Sequence, residues 1–267
     1  EMSASLVGSE MCIRDRQEDG WAGLRDLNGN IMQESLFSLR ENLLLEQPQS
    51  QTNVLVSLTQ AAPDGGDSLL VSAVKRLSDR LGITVQQAAH AWVDAYCQQV
   101  LKPLFTAEAD YGLVLLAHQQ NILVQMLGDL PVGFIYRDCQ GSAFMPHATD
   151  WLDSIGEAQA ENIFTHEQLL RYFPYYLLVN STFAVTAALG AAGLDSESNL
   201  MARVRASLAE VRDQVTHKTC LNYVLESPYW NVKGNFFCYL NDHNENTIVD
   251  PSVIYFDFAN PLQAQEV

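Results

Sequence analysis

The sequence predicts an α+β fold in which a helical bundle packs around an antiparallel β-hairpin. Apolar residues recur at helical spacing in two segments, 85–100 and 200–215. Between them, residues 113–127 and 132–138 are rich in aliphatic residues and flank Gly128–Pro131, a sequence typical of a tight reversal between strands. Because the chain has 267 residues and 48% of them are hydrophobic, it can bury a sizeable core, as one large or two small domains.

The two helical segments have recognisable start signals. Thr84 and Gln87 form a capping box, and we expect the first helix to run from there to Pro103, which cannot donate a backbone hydrogen bond. The second helix follows the polar pair Asp195 and Ser196. Its outward face is predicted to carry Arg203, Arg205 and Arg212.

The predicted hairpin carries more polar residues than an apolar segment usually does. They are His118, Gln120, Asn121, Arg137, Asp138 and Gln140. Burying such groups is costly unless each finds a partner, so the cluster indicates either a bonded network or a functional site. Since side chains alternate along a strand, His118 and Gln120 would share one face, beside Arg137 and Asp138 of the partner strand. A core histidine next to a local ion pair is the alternative interpretation.

The two polar blocks, Ala117–Asn121 and Arg137–Gly141, resemble the signature of the IucA/IucC family of siderophore synthetases, which act without a peptide-synthetase template. The resemblance covers residues 27–262, nearly the whole chain. Flanking motifs in the family's order are Leu39–Asn42, Val54–Pro63, Trp92, Tyr96 and Asn260–Leu262.

The resemblance implies an ATP-dependent ligase. Such enzymes activate a carboxylate of citrate, or of a citrate-derived half-product, as an acyl-adenylate. A polyamine, a hydroxamate-type amine or an alcohol then attacks it. The implied cofactors are ATP and Mg²⁺, with Asp138 as the magnesium ligand because magnesium prefers hard oxygen donors. The implied catalytic residues are His118, Arg137 and Asp138. The implied cofactor-binding residues are Gln120, Asn121, Gln140 and Lys233.

Two departures from the family pattern are visible. Leu116 stands where family members often have a glutamate, two residues before the histidine. Family members are also considerably longer, and their phosphate-gripping Ser/Thr, Lys and Arg blocks have no counterpart here. We therefore expect residues 17–267 to be the C-terminal catalytic half of a synthetase. Residues 1–16 resemble a translated adapter sequence and are expected to form an artefactual or disordered tail.

Composition and charge exclude several classes of protein. With 15 Lys and Arg against 32 Asp and Glu, the net charge is −17, so nucleic acid is not an expected partner. The long apolar stretch 175–194 is interrupted by polar and small residues, which predicts a buried helix and not a membrane span. Cys97, Cys139, Cys220 and Cys238 show no C-x-x-C spacing, which favours a reducing cytoplasm. A homodimer is left open.

Two other functions are compatible with parts of the pattern. The hairpin also resembles the catalytic hairpin of kinase-like small-molecule phosphotransferases, but Gln120 replaces the aspartate that serves them as a base. The region is also related to ferric-siderophore reductases, which would make it an iron-release module, but it lacks their cysteine cluster. The segment Asp242–Asn246 is a weaker candidate for metal binding, since a run of polar residues is usually a solvated turn.

Overall fold

The structure is a computed structural model, and it describes residues 18–32, 35–40, 51–137, 142–148, 163–234, 240 and 254–263. The α-helices are α1 (Leu55–Thr59), α2 (Leu69–Leu81), α3 (Val85–Tyr96), α4 (Lys102–Tyr111), α5 (His166–Pro174), α6 (Phe183–Ala191), α7 (Glu197–Gln214) and α8 (Thr219–Glu226). The strands are β1 (Glu18–Ala22), β2 (Phe37–Arg40), β3 (Gln51–Val54), β4 (Leu113–Leu115), β5 (Ile122–Leu127), β6 (Leu130–Tyr136), β7 (Ser142–Phe144), β8 (Tyr229–Lys233) and β9 (Tyr255–Ala259). The predicted α+β class is confirmed.

The strands form small antiparallel sheets. In the largest of those described, β5 lies between β3 and β6, while β4 pairs with β7 and β8 pairs with β9. The predicted β5–β6 hairpin is present, and its turn residues Gly128 and Asp129 have φ angles of 56° and 68°, as a two-residue type I′ turn requires. Arg76 of α2 donates two hydrogen bonds, of 3.0 and 2.7 Å, to one Asp129 carboxylate oxygen. The hairpin tip is thereby fixed to the helical layer.

The predicted helix starts are confirmed. Thr84 and Gln87 form the capping box of α3, and Ser196 caps α7. Asp195 joins these two helices, because its carboxylate accepts from Gln86 at 2.9 Å and lies 2.6 Å from the His90 ring. These bonds lower the pKa of Asp195 although burial opposes them. The helices enclose a core whose largest buried side chains include Trp92, Trp230, Tyr96, Phe105 and Phe173.

Pro103 does not end the first helix as predicted. The chain stays helical through a π-helical segment, Cys97–Leu101, and continues as α4. The wider π-helical turn accommodates the proline, which comes to lie in the first turn of α4, where its missing N–H needs no partner. The stretch 175–194 is helical as predicted as far as Ala191, but it begins with a second π-helical segment, Tyr175–Thr182. Among the described helices, none is long and apolar enough to cross a membrane.

The prediction that three arginines of α7 face outward is wrong, because each of them bonds to a neighbouring part of the chain. Arg203 forms an ion pair with Asp94 of α3, and Arg212 lies 2.8 Å from Glu226 of α8. Arg205 donates to the carbonyl oxygens of Leu225 and Leu262 at 2.8 and 2.7 Å. The long aliphatic stems let the cations lie over the helix flanks, so these residues connect α7 to its neighbours.

Candidate active site

The predicted single strand 113–127 is wrong, and this changes where the site lies. β4 ends at Leu115 and β5 begins at Ile122. The residues between them form a loop, Leu116–Asn121, which we call the His118 loop. Close backbone hydrogen bonds bend it, including His118 N–H to the Leu116 oxygen at 2.9 Å and Asn121 N–H to the His118 oxygen at 2.8 Å. His118 and Gln120 therefore do not share a strand face but lie on a turn at the end of the hairpin.

Contacts from distant elements hold the His118 loop in place. Val56 in α1 donates its N–H to the Gln119 oxygen at 3.1 Å. From the second π-helical segment, the Asn180 side chain accepts from the Gln119 N–H at 3.2 Å, and the Ser181 hydroxyl donates to the Ala117 oxygen at 2.7 Å. π-helical turns often occur at functional sites, and this one holds the loop that carries His118.

Ser181→Ala should loosen the His118 loop without unfolding the protein. The hydroxyl is fully buried and its removal leaves the Ala117 carbonyl without that donor, which costs about 1–3 kcal/mol. We expect faster amide hydrogen exchange in residues 116–121 and a lower free energy of unfolding. Ser227→Ala, which removes an exposed hydroxyl bond to the Tyr229 oxygen, is the control. Equal exchange in both variants would contradict the role of Ser181.

His118 is oriented by its own loop. The Gln120 N–H donates to His118 Nδ1 at 3.3 Å. A ring nitrogen that accepts a hydrogen bond carries no proton, so the neutral imidazole holds its proton on Nε2. The His118 ring is half-buried and therefore accessible from solvent on one side. With Nδ1 occupied by this bond, Nε2 is the ring nitrogen of His118 left to face the solvent side.

Arg137 lies beside the His118 loop, as the sequence predicted, but its bonds are partly structural. Its backbone N–H donates to the Asn121 oxygen at 3.0 Å, and its Nε donates to the Gln120 oxygen at 2.8 Å. Within the described residues, the structure assigns Arg137 no carboxylate partner at ion-pair distance. Arginine has five N–H donors, so anchoring the loop is compatible with contacting an anion.

The remaining predicted site residues fall into two groups. Gln120 is exposed, whereas the Asn121 residue is only 5% exposed, which suits a structural amide better than a direct ligand. Asp138 and Gln140 lie outside the described residues, and so does the segment Asp242–Asn246. No cluster of three or more metal-ligating side chains occurs in the part of the chain that the structure describes.

Sequence reasoning missed a group of four tyrosines next to His118. This tyrosine cluster consists of Tyr172, Tyr175, Tyr176 and Tyr255. The centre of the Tyr176 ring lies 6.1 Å from the centre of the His118 ring. The Tyr175 ring contacts the Tyr176 ring edge-on, with 5.1 Å between their centres. Burial raises the pKa values of Tyr175, Tyr176 and Tyr255, so their hydroxyls stay protonated at neutral pH and act as donors. Paired tyrosines followed by Asn180 and Ser181 inside an apolar stretch were the signal in the sequence.

Lys233 lies on the same side of the molecule as the tyrosine cluster. It ends β8, and the ladder pairs it directly with Tyr255 of β9. Directly opposed residues in an antiparallel pair place their side chains on the same face, so the Lys233 stem runs beside the Tyr255 ring. Neighbour contacts thus link Arg137 through the His118 loop, Tyr176 and Tyr175 to Tyr255, which is paired with Lys233, and we call this set of groups the row.

A surface cleft of about 620 Å³ lies elsewhere, between α3 and α7. Its lining includes His90, Asp94, Asn199 and Arg203. These charged groups already have partners, since His90 lies against Asp195 and Asp94 pairs with Arg203. No predicted site residue lines it, so we interpret this cleft as the surface of a helix–helix contact.

Comparison with known proteins agrees with the resemblance seen in the sequence. The family described as "Ferric iron reductase FhuF-like transporter" matches residues 90–248, and the chain belongs to this family. An N(2)-citryl-N(6)-acetyl-N(6)-hydroxylysine synthase from Escherichia coli is 93% identical over 96% of this chain and 44% of that protein. The enzyme of the same name from Vibrio mimicus is 43% identical over 98% of this chain and 45% of its own length.

The fold also agrees with a solved structure. ATP-bound aerobactin synthetase IucA from a hypervirulent Klebsiella pneumoniae superposes with a TM-score of 0.83 at 88% identity, over 94% of this chain and 44% of that one. The predicted kinship with siderophore synthetases is thereby confirmed. The chain spans less than half the length of the relatives that it matches.

Proposed function

We propose that this chain is the C-terminal catalytic half, residues 17–267, of an ATP-dependent ligase of siderophore biosynthesis. The ligase joins a carboxylate of citrate, or of a citrate-derived half-product, to an amine or an alcohol. The observation that carries the proposal is the row of groups from Arg137 past His118 and Tyr176 to Lys233. Two cations separated by neutral donors suit a substrate with several carboxylates, because each oxygen then meets a donor or a positive charge.

The chemistry requires donors that are fixed before the reaction starts. A carboxylate oxygen attacks the α-phosphorus of ATP, and the bond to pyrophosphate breaks. The amine nitrogen then attacks the acyl carbon, AMP leaves, and the nitrogen loses a proton. Negative charge grows on phosphate and carboxylate oxygens in the first step, so fixed donors there contribute most to the rate. His118 Nε2–H and the Arg137 guanidinium are suited to that role.

ATP and Mg²⁺ are part of the proposal. A relative of 88% identity is described with bound ATP, and the polar groups proposed to hold the nucleotide are Gln120, Asn121, Gln140 and Lys233. The Asp138 carboxylate is a hard oxygen donor of the kind that magnesium prefers, and it lies next in sequence to the Arg137 cation. Magnesium would neutralise phosphate charge there.

The relatives, the charge and the cysteines support a proposal for the nucleophile and the location. Two relatives are named as synthases of citryl-acetyl-hydroxylysine, so we propose the amine of a hydroxamate-bearing lysine derivative. A net charge of −17 would favour the approach of such a cation. We propose that the enzyme acts in the cytoplasm, where ATP is supplied. The free thiols of Cys97 and Cys220 are compatible with that reducing compartment.

Two alternatives are less well supported. A phosphotransferase needs a base at position 120, and the Gln120 amide cannot take a proton. An iron-release module, which the family description suggests, needs reactive thiols for an iron–sulfur centre. Burial raises the pKa of Cys97 to about 12 and that of Cys220 well above its usual value, so these two described thiols are unsuited to metal ligation.

The chain by itself should bind ATP weakly and form no acyl-adenylate. The blocks that grip the triphosphate in longer family members are not recognisable in it, and correct orientation of the reactants contributes several kcal/mol, up to about 11, to such reactions. We expect calorimetry to give millimolar ATP affinity or weaker, which corresponds to about −4 kcal/mol. A coupled pyrophosphate assay with citrate should give no signal above the no-enzyme control. Citrate-dependent pyrophosphate release by this chain alone would refute that part of the proposal.

A further inference from the structure

The second π-helical segment contacts the His118 loop at successive residues. The centre of the Tyr176 ring lies 6.1 Å from that of the His118 ring, and Asn180 Oδ1 accepts from the Gln119 N–H at 3.2 Å. Residues four positions apart lie on the same side of a helix, so both side chains face the loop. The Ser181 hydroxyl also donates to the Tyr176 oxygen at 3.1 Å and so stabilises the segment itself, whereas the bond of Asn180 goes to the loop.

Two consecutive peptide groups connect Asn180 to the His118 ring. The first joins His118 to Gln119, and its N–H is the group that donates to Asn180. The second joins Gln119 to Gln120: its C=O accepts from the Val56 N–H at 3.1 Å, and its N–H donates to His118 Nδ1 at 3.3 Å. Each peptide group is planar and rigid, and the two share the Gln119 Cα, so the direction of the second depends on that of the first. A bond of 3.3 Å is long, so a small rotation would break it.

We propose that Asn180 is a positioning residue of this site: by accepting from the Gln119 N–H, it aligns the following Gln120 N–H with His118 Nδ1 and so keeps the ring proton on Nε2, where it can be donated to an oxygen of a bound polycarboxylate. The proposal rests on the proposed function and deepens it, since it names what sets the proton of one donor of the row. A purely structural asparagine would hold the loop without deciding which ring nitrogen carries the proton. The tautomer of His118 is therefore the feature to test.

The experiment uses the full chain and variants of Asn180. Asn180→Ala removes the acceptor, and Asn180→Leu removes it at nearly constant volume, should the alanine variant not fold. Asn180→Asp keeps an oxygen that can accept from the Gln119 N–H. Asn222→Ala is the matched control, because Asn222 is exposed on α8.

Two quantities are measured by NMR. The first is the pair of ¹⁵N chemical shifts of the His118 ring nitrogens at about pH 8.5, where an ordinary histidine is neutral. These two shifts report which nitrogen carries the proton. The second is the change of the His118 signals on titration with citrate, which gives the affinity. Thermal unfolding of each variant verifies that the fold is kept.

In the wild-type chain we expect the Nδ1 shift of an unprotonated nitrogen and the Nε2 shift of a protonated one. Asn180→Ala should move the two shifts toward each other, because both tautomers of His118 become populated. It should also weaken citrate binding about 3- to 10-fold, as the loss of one hydrogen bond would. Asn180→Asp should keep the wild-type tautomer but weaken citrate binding, because its negative charge repels the ligand. Asn222→Ala should change neither quantity.

The possible outcomes separate this inference from the proposed function. If the folded variant that lacks the acceptor keeps the wild-type tautomer, Asn180 does not set the proton of His118 and the inference is overturned. It is equally overturned if Asn180→Asp loses the tautomer as fully as that variant does, because the accepting oxygen would then not be the cause. If citrate does not bind to the wild-type chain but removal of the acceptor still changes the tautomer, the positioning role is supported and the citrate function fails.

Discussion

His118→Ala is expected to lower citrate adenylation by at least about 100-fold in a protein that joins this chain to the remaining length of its relatives, because removing one fixed donor to a developing negative charge typically has that effect. The fold should persist, since His118 is half-buried on a loop and fills no part of the core. Pyrophosphate exchange with citrate and ATP measures the loss. His217→Ala is the control, because His217 is exposed and stacks on His147 instead.

Asp138→Asn should cause a loss of similar size. The substitution keeps the shape of the side chain but removes the charge that we propose as the magnesium ligand, so the defect should lessen at high magnesium concentration. His118→Ala should show no such rescue. Near-normal turnover in both variants would reduce the polar cluster to a structural network, which is the alternative interpretation of the sequence.

Gln120→Glu distinguishes the ligase from a phosphotransferase. In a ligase the new carboxylate, on an exposed residue beside His118, should repel the substrate carboxylate and reduce activity. In a phosphotransferase it would supply the missing base and permit phosphorylation of a hydroxyl. Any gain of hydroxyl phosphorylation, measured with a labelled γ-phosphate, would favour the phosphotransferase.

Among the predicted features, those that depend on residues close together in the sequence could be predicted correctly. The α3 capping box, the α7 cap and the hairpin turn at Gly128 depend on side chains and backbone angles within a few residues, and all three are present. The predicted proximity of Arg137 to His118, Gln120 and Asn121 is also present. Such features are readable because the bonds that stabilise them close within one turn of chain.

The shape of the candidate site could not be predicted from the sequence, because residues far away in the chain determine it. The continuous apolar run Leu113–Ala117 favours a strand that continues, yet the chain bends at the His118 loop. The bonds that hold the bend come from Asn180 and Ser181, 61 and 64 positions away. Tyr255 likewise reaches the site through the β8–β9 ladder, and no periodicity in the sequence reports that pairing. Tertiary contacts of this kind override local propensity.

The protein should lose stability as the pH rises from 4 to 8, and Glu108 should be a main cause. Glu108 lies in α4 and is only 2% exposed; among the described groups, its Oε2 atom has no hydrogen-bond partner. Burial, and secondarily the charge of Asp110, raises the pKa of Glu108 to about 8. The folded protein therefore holds a proton that the unfolded chain releases at a lower pH.

The sign of the effect follows from proton binding. Between the ordinary glutamate pKa and about 8, the folded state binds more protons at Glu108 than the unfolded state, so the free energy of unfolding falls as the pH rises. Glu108→Gln cannot ionise and should remove this part of the decline. The variant and the wild-type protein should be nearly equally stable at pH 4, and the variant should be more stable by roughly 3 kcal/mol at pH 7.

Urea unfolding at several pH values measures this difference. Glu210→Gln, which replaces an exposed glutamate on α7, is the control. Its free energy of unfolding should change with pH as that of the wild-type protein does. If the free energy of unfolding of Glu108→Gln shows the same pH dependence as that of the wild-type protein, Glu108 ionises normally in the folded state and the buried carboxyl is not kept neutral. A gain confined to high pH would instead establish a buried proton in α4, the helix that ends at Tyr111 and leads through Gly112 into β4 and the His118 loop.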